Sequence, residues 1–410
     1  MSEPISDSDA SKCPLHEIRK VPIDGTPLSP SAIFDLWRKE GAATPLEYED
    51  GHQGFVVTRY ELAKLILEDK RFSQKPIRMP LHHIDREEAA PGINIVDGEL
   101  ATASDLDPGN LLFLDGEQHL KIRRAATSRF SVRSAKGYES DIKAIVSRQI
   151  ENLIAQGSPV DLSEHYSEPI SAAGHARVLG IPDFLFGDYE RLFVGKSEES
   201  EKIEYLRRVL AFKKESPADD LLSDLVKSEL LENEIEGLTL SLMVSGRDNV
   251  AYMISTGIVA LLKHPDQLQA LRDNPALIDG GVEELLRISA VFLTMFPRTA
   301  MEDVEVGGVK ISSGQSVSVS AVAANYDERQ YPDPYRFDLT RDAFGHLGFG
   351  NGLHGCLGQQ VARIEIKEGI MQLLQAFPNL KLVHAEQEEP MPFYHPVAAY
   401  QVGEVIIAWE

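Results

Sequence analysis

The chain has 410 residues, a formal net charge of −23 and two cysteines, Cys13 and Cys356. So acidic a protein is a poor partner for nucleic acid, and two cysteines argue against a zinc site, which wants three or four nitrogen or sulfur ligands. The N-terminus shows no basic stretch followed by an apolar run, so no signal peptide or membrane anchor is expected.

Residues 1–20 read as a flexible tail and 21–410 as a single domain, since no repeat, low-complexity linker or composition break divides them. Ser29-Pro30 predicts a helix start, with serine as N-cap and proline at the first helical position. Residues 46–57 read as two short strands about Glu49-Asp50-Gly51, and 58–68 as an amphipathic helix. Residues 72–114 are irregular, and so long a connection is usually functional or disordered. Helical patterns dominate from 117 to 287. A basic run, Lys121, Arg123, Arg124, Arg129, Arg133 and Lys136, contains no acid. The stretch between Pro182 and Pro217 looks short for two helices. Residues 238–262 read as one long apolar helix, broken in character by Arg247-Asp248-Asn249, which argues against a membrane span. A strand-rich stretch follows, with turns at Gly307-Gly308 and Ser313-Gly314. The fold class expected is mainly α (α+β): a helix-rich domain with a small β-rich side.

The most informative segment is Phe349-Gly350-Asn351-Gly352-Leu353-His354-Gly355-Cys356-Leu357-Gly358. It places a cysteine in a glycine-rich loop just before an amphipathic helix starting near Leu357. Backbone N–H groups and the helix dipole favour a thiolate there. Gly350, Gly352 and Gly358 would let the backbone turn tightly beside something flat. Such a thiolate suits an axial ligand to haem iron. Three other readings compete. Gly350-x-Gly352-x-x-Gly355 also fits a dinucleotide fingerprint, but too little chain follows for the second parallel strand. A nucleophilic cysteine paired with His354 is a further possibility, and a lone structural cysteine is the plainest.

The segment resembles the signature of the cytochrome P450 family, Phe-Gly-x-Gly-x-His-x-Cys-x-Gly, and the match continues through Gln359, Ala362, Arg363 and Glu365. The resemblance implies haem b with Cys356 as the iron ligand, which leaves no disulfide and fits a cytoplasmic location. It implies that haem sits between the long central helix and the cysteine-loop helix. His119 and Arg123, four apart on one helix face, match the family's His-x-x-x-Arg. With Arg298 and His354 they should hold the haem propionates, and Phe349 should lie at the haem. Glu284 and Arg287 match the Glu-x-x-Arg pair, with Arg336 as the expected third member. The resemblance also implies O2 as co-substrate, a small organic substrate, and electrons from a ferredoxin and an NAD(P)H-linked ferredoxin reductase. Part of the basic run would then be their docking patch; otherwise it is a solvated helix face.

The chain departs from the family at Ser245-Gly246-Arg247-Asp248-Asn249. Gly246 would leave room for oxygen and Asp248 could help deliver protons, but Asn249 stands where threonine is usual. An amide donates and accepts hydrogen bonds but relays protons poorly. Two reactions follow as expectations: hydroxylation or epoxidation, or oxidative coupling or cyclisation of an aromatic or peptide-like substrate. A catalytically silent haem-binding partner protein is the reading from another class. Val291, Phe292, Phe393, Tyr394 and His395 are candidate substrate contacts, since aromatic groups could stack on an aromatic substrate.

Overall fold

The computed structural model describes residues 18–48, 51–75, 107–194, 197–389 and 398–410, with the backbone of 95–96, 99–100 and 393–394. The helices, in chain order, are α1 (Ile33–Glu40), α2 (Tyr60–Glu68), α3 (Gly116–Thr127), α4 (Val132–Gln156), α5 (Glu168–Leu179), α6 (Asp183–Val194), α7 (Glu199–Glu215), α8 (Leu221–Lys227), α9 (Glu232–Val244), α10 (Arg247–Lys263), α11 (Pro265–Asp273), α12 (Ile278–Ile288), α13 (Ala321–Asn325) and α14 (Gln359–Ala376). The strands are short. Five of them, β1 (Thr44–Glu47), β2 (Gln53–Val57), β3 (Phe72–Ser73), β4 (Arg298–Ala300) and β5 (Ser316–Val319), form a sheet in the order β1-β2-β5-β4-β3. Only the β2–β5 pair in it is parallel. The expected helix-rich body with a small β side is what forms.

The core is organised around α10. From Val250 to Leu261 every residue is buried, and α5, α12 and α14 pack around it. A helix apolar on every side is stable only when surrounded, which is why this one lies inside rather than across a membrane. Among the described residues no helix is long and apolar enough to span one.

Several boundaries differ from the sequence reading. Helix α1 starts at Ile33, because Thr26 and Ser29 exchange backbone hydrogen bonds that hold Ser29 in a bend. Ser31 accepts from the Ile33 N–H at 3.2 Å instead. Helix α2 is capped from afar: the Asp327 carboxylate accepts the Tyr60 N–H at 2.9 Å. The stretch after Pro182 does accommodate two helices, α6 and α7. The long helix expected over 238–262 is two helices, α9 and α10, parted at Ser245-Gly246. Gly246 has φ +94°, a left-handed conformation that costs glycine little. Helix α5 packs against α10 beside the break. Its Ser171 hydroxyl donates to the carbonyl of Arg247, in the first turn of α10.

Candidate active site

The cysteine loop is closed by its own backbone. The Cys356 N–H donates to the Phe349 carbonyl at 2.8 Å, and the Gly355 N–H to that of Gly352 at 3.1 Å. Gly350 and Gly352 take positive φ, +68° and +71°. A Cβ on Gly352 would also lie 2.6 Å from the Leu67 carbonyl oxygen, so α2 and the loop meet where only glycine fits. Gly358 is different from expectation. Its φ is −80°, which any residue adopts, and a Cβ there would meet no protein atom within 4 Å. Its smallness keeps space free; it makes no turn.

Cys356 lies three residues before the start of α14 and lines a cavity. Burial raises the thiol's pKa, although the N–H groups of Gly358 and Gln359 and the guanidinium groups of Arg123 and Arg363 pull the other way. The helix terminus and the two guanidinium groups thus favour the thiolate expected from the sequence, and burial opposes it. A metal cation at the sulfur tips that balance towards the thiolate.

The cavity measures about 1360 Å³. That exceeds the roughly 300–1,000 Å³ of an ordinary ligand pocket, which leaves room for a prosthetic group and a substrate together. The structure brings His119, Arg123, Gly246, Asp248, Asn249, Val291, Phe292, Arg298, Phe349, His354 and Cys356 to its walls. His395 lies outside the described residues, as do the side chains of Phe393 and Tyr394, so their expected substrate contacts have no structural counterpart here.

The donors fit the acidic edge of a haem. His119 is fully buried and neither ring nitrogen has a hydrogen-bond partner. Burial, then the charges of His354 and Arg123, push its pKa down to about 4. Arg298 is 5% exposed and, among the described residues, has no ion pair. Burial lowers its pKa to about 10, with only Asp115 opposing. A buried guanidinium and an unsatisfied buried imidazole are costly alone; a carboxylate between them would satisfy both. His354 stacks obliquely on His119, ring centres 4.3 Å apart, and reaches the Asp115 carboxylate at 3.3 Å. That contact helps hold the Asp115 carboxyl well below its usual range. Arg123 also ties α3 to the loop, donating to the Gly355 carbonyl at 2.6 Å.

The ion-pair network is present with one change of member. Glu284 and Arg287 are both fully buried and doubly bonded, at 2.7 and 2.9 Å. The third member is Arg341, whose Nε donates to Glu284 at 3.1 Å. Arg336, expected in that place, is 63% exposed and pairs with Asp338 at 3.3 Å. Its side chain points outward, while its carbonyl accepts a bond from Arg341 at 3.0 Å. A second network links α12 to the cysteine helix: Glu283 binds Arg363 at 2.5 and 2.9 Å and His346 at 3.2 Å.

On the α9–α10 side, Asp248 forms an ion pair with buried Arg247. Burial raises the Asp248 pKa, and Arg247 only partly offsets it. The Ser245 hydroxyl, one turn before Asn249 in a continuous helix, donates instead to Ser241 of its own helix. Sequence reasoning assigned no role to Arg247, Asp115 or Glu365. Asp115, preceding a helix that carries a matching motif, and Glu365, within the match that follows the cysteine loop, left local signals.

Half of the basic run is consumed internally. Lys121 binds both oxygens of Glu234 at 2.7 Å, Arg129 binds Asp224 and Asp219, and Arg123 turns to the cysteine loop. Arg124, Arg133 and Lys136 remain exposed, with no ion pair among the described residues.

The family model described as Cytochrome P450 matches residues 198–398. Cytochrome P450 105C1 of a Streptomyces species is 31% identical over 393 residues, covering 93% of this chain and 95% of that protein. Mycinamicin IV hydroxylase/epoxidase of Micromonospora griseorubida is 31% identical over 353 residues, covering 81% and 84%. The crystal structure of CYP105P1 in complex with filipin I superposes with a TM-score of 0.83 at 27% identity, covering 96% of this chain and 99% of that one.

Proposed function

Because the chain belongs to the cytochrome P450 family of haem-thiolate monooxygenases, we propose that it hydroxylates or epoxidises a natural-product intermediate, drawing electrons from a ferredoxin and its NAD(P)H-linked reductase. The observation that carries this reading is one cavity shared by three groups: the Cys356 sulfur, the donors His119 and Arg298, and Asp248 with Asn249. A relative named as a hydroxylase/epoxidase supports the reaction class.

Haem b, held by Cys356, His119 and Arg298, would supply the oxygen activation, and the overall change in a hydroxylation would be RH + O2 + 2 electrons + 2 protons giving ROH + H2O. The protein's own part is to hold, orient and protonate. The segment Val291–Phe296 forms a wall, fixed by bonds from the Tyr400 N–H to the Val291 carbonyl (2.9 Å) and from the Met295 N–H to that of Val319 (2.8 Å). Phe292 and Phe296 present rings on that wall, 6.5 Å apart. Asp248, made a weaker acid by burial, stands on the cavity wall beside Asn249, where a carboxyl can take part in proton supply. The exposed cations Arg124, Arg133 and Lys136 suit an acidic electron donor through long-range attraction.

The second reading, coupling or cyclisation of an aromatic substrate, rests on Asn249. Its amide cannot pass on a proton as a hydroxyl does, and Ser245 does not replace it. Turnover of the purified enzyme with a surrogate ferredoxin system, NADPH and host metabolite extract, followed by mass spectrometry, decides between them. A product heavier by one oxygen supports insertion. A product lighter by two hydrogens supports coupling.

A further inference from the structure

Arg363 lies on α14, seven residues after Cys356. Its Nε and one terminal nitrogen grip both oxygens of Glu283 on α12, at 2.5 and 2.9 Å. The other terminal nitrogen donates to the carbonyl and to the side-chain oxygen of Gln359, each at 3.1 Å. So clamped, the guanidinium stands 4.7 Å from the centre of the Phe349 ring, inside cation–π range. An ion pair serving only to join α12 to α14 would need no aromatic ring against it.

Two further contacts tie the group to the ligand cysteine. The Gln359 amide that accepts from Arg363 also donates to the Cys356 carbonyl at 3.3 Å. The Arg363 charge acts on the sulfur as well, favouring its anion. Arg123 acts in the same sense, but it lines the cavity, where a propionate can answer its charge; Arg363 is not among the lining residues. The counter-charge is fixed too. Burial raises the Glu283 pKa, but His346 and Arg363 bring it down to about 2, so Glu283 is an anion at neutral pH. The His346 Nδ1 accepts the Gly348 N–H at 3.0 Å, which leaves the ring proton on Nε2, donating to Glu283 at 3.2 Å. The pair is thus a fixed dipole with its positive end on the Phe349 ring.

We propose that Arg363 is a positioning residue that sets the electron affinity of the haem: its guanidinium, clamped by Glu283 and Gln359 against Phe349, holds positive charge beside the cysteine loop and so favours uptake of an electron from the ferredoxin. This goes beyond the reaction proposed above and rests only on Cys356 as the iron ligand. The step moves one electron from reduced ferredoxin to the haem iron; the ferredoxin is oxidised, the haem is reduced, and no bond or proton changes in the protein. Reduction adds one negative charge to the haem and its thiolate, and a nearby cation stabilises that product more than the reactant. Arg363 touches neither iron nor substrate. It acts through its field and through the Gln359 bond to Cys356, as groups outside the ligands commonly tune a metal. Glu283 opposes it, so removing either partner should move the potential in opposite directions.

Dye-mediated redox titration of the haem-loaded protein reads the potential without ferredoxin or substrate. Three variants are compared. Arg363→Met keeps bulk and loses the charge; Arg363→Lys keeps the charge but cannot grip Glu283 and Gln359 at once; Glu283→Gln removes the counter-charge. Arg363 is 21% exposed, and solvent and Glu283 both temper its field. Arg363→Met should therefore lower the equilibrium constant for reduction by roughly tenfold, about 59 mV for one electron. Arg363→Lys should recover part of that loss, and Glu283→Gln should shift the potential upward. A merely structural role, in which either change loosens the loop, would shift both the same way. A wild-type potential in Arg363→Met, or shifts of one sign in Arg363→Met and Glu283→Gln, overturns the inference while leaving the proposed reaction standing. A wild type whose reduced carbon monoxide complex lacks the thiolate-shifted band overturns both, since Cys356 is then no ligand. If one variant fails to load haem with that band, the other decides; if both fail, the network belongs to folding and the inference falls.

Discussion

Exchanging the outer arginines of the Glu284 network for methionine separates two positions that look alike in sequence. Arg341→Met removes a charge-assisted bond to fully buried Glu284 and three bonds to the carbonyls of Pro332, Asp333 and Arg336. Arg287 stays on Glu284, so the acid is not stranded, and the loss falls below the roughly 3–5 kcal/mol of a broken buried pair. Bonds to a charged group are worth about 1.5–3 kcal/mol and neutral ones about 1. The three carbonyl bonds are exposed to solvent and keep only a part of that worth, so a loss of about 2–4 kcal/mol is expected. Unfolding entropy of about 2.1 cal/mol/K per residue over 410 residues then gives a fall in Tm of roughly 2–5 °C. Arg336→Met removes one exposed pair and should stay within about 1 kcal/mol. The assay is a thermal melt of the haem-loaded enzyme, followed by circular dichroism and by the absorption band of the reduced carbon monoxide complex. Equal destabilisation by the two substitutions, or a larger effect at Arg336, would refute the assignment of Arg341 as third member.

Four further outcomes are expected. Cys356→Ser should abolish the thiolate-shifted band of the reduced carbon monoxide complex; survival of that band would remove Cys356 as ligand. Asn249→Thr should raise the share of electrons that end in product if oxygen is inserted, and leave it unchanged if the substrate is coupled. Arg133→Glu and Lys136→Glu should slow reduction by a surrogate ferredoxin most at low salt, whereas Lys121→Met, whose charge is already spent on Glu234, should affect stability more than reduction. Glu283 gives a pH test. Burial raises its pKa, but His346 and Arg363 more than offset this and bring it down to about 2. A carboxyl with a depressed folded pKa stabilises above its unfolded value of about 4.3 and loses that stabilisation as pH falls towards 2. Wild type should therefore exceed Glu283→Gln by on the order of 3 kcal/mol in urea melts near neutrality, with the gap closing below about pH 4; a constant gap would contradict the pairing.

How much of this could be read without a structure depended on whether the decisive contacts are local. The cysteine loop, the His119–Arg123 pair and the Glu284–Arg287 pair are short-range patterns, and their residues do meet as those patterns imply. Helix-start signals did less well, because real caps came from far away. Tyr60 is capped by Asp327, and no feature near residue 58 announces it. Arg341 was missed for a similar reason. Arg336 stands nearer the motif in sequence, but the turn holding Asp333 at φ +50° carries the Arg336 side chain outward and lets Arg341 fold back over the same carbonyls.

The break between α9 and α10 shows why composition misled over 238–262. Apart from Gly246 and Gly257, every residue there favours or tolerates helix, so periodicity sees one element. What divides it is Gly246 in its left-handed turn, beside which α5 places Ser171, bonded to the Arg247 carbonyl. The same helix carries Glu168 towards Arg247 and Asp248, and its Gly174 yields space to Glu365. A helix with no recognisable motif thus shapes the proton-handling side of the cavity. Ser171→Ala, which cannot donate to the Arg247 carbonyl, should displace the break. The expected readout is altered peroxide release with unchanged haem content; loss of haem instead would place the role of α5 in folding alone.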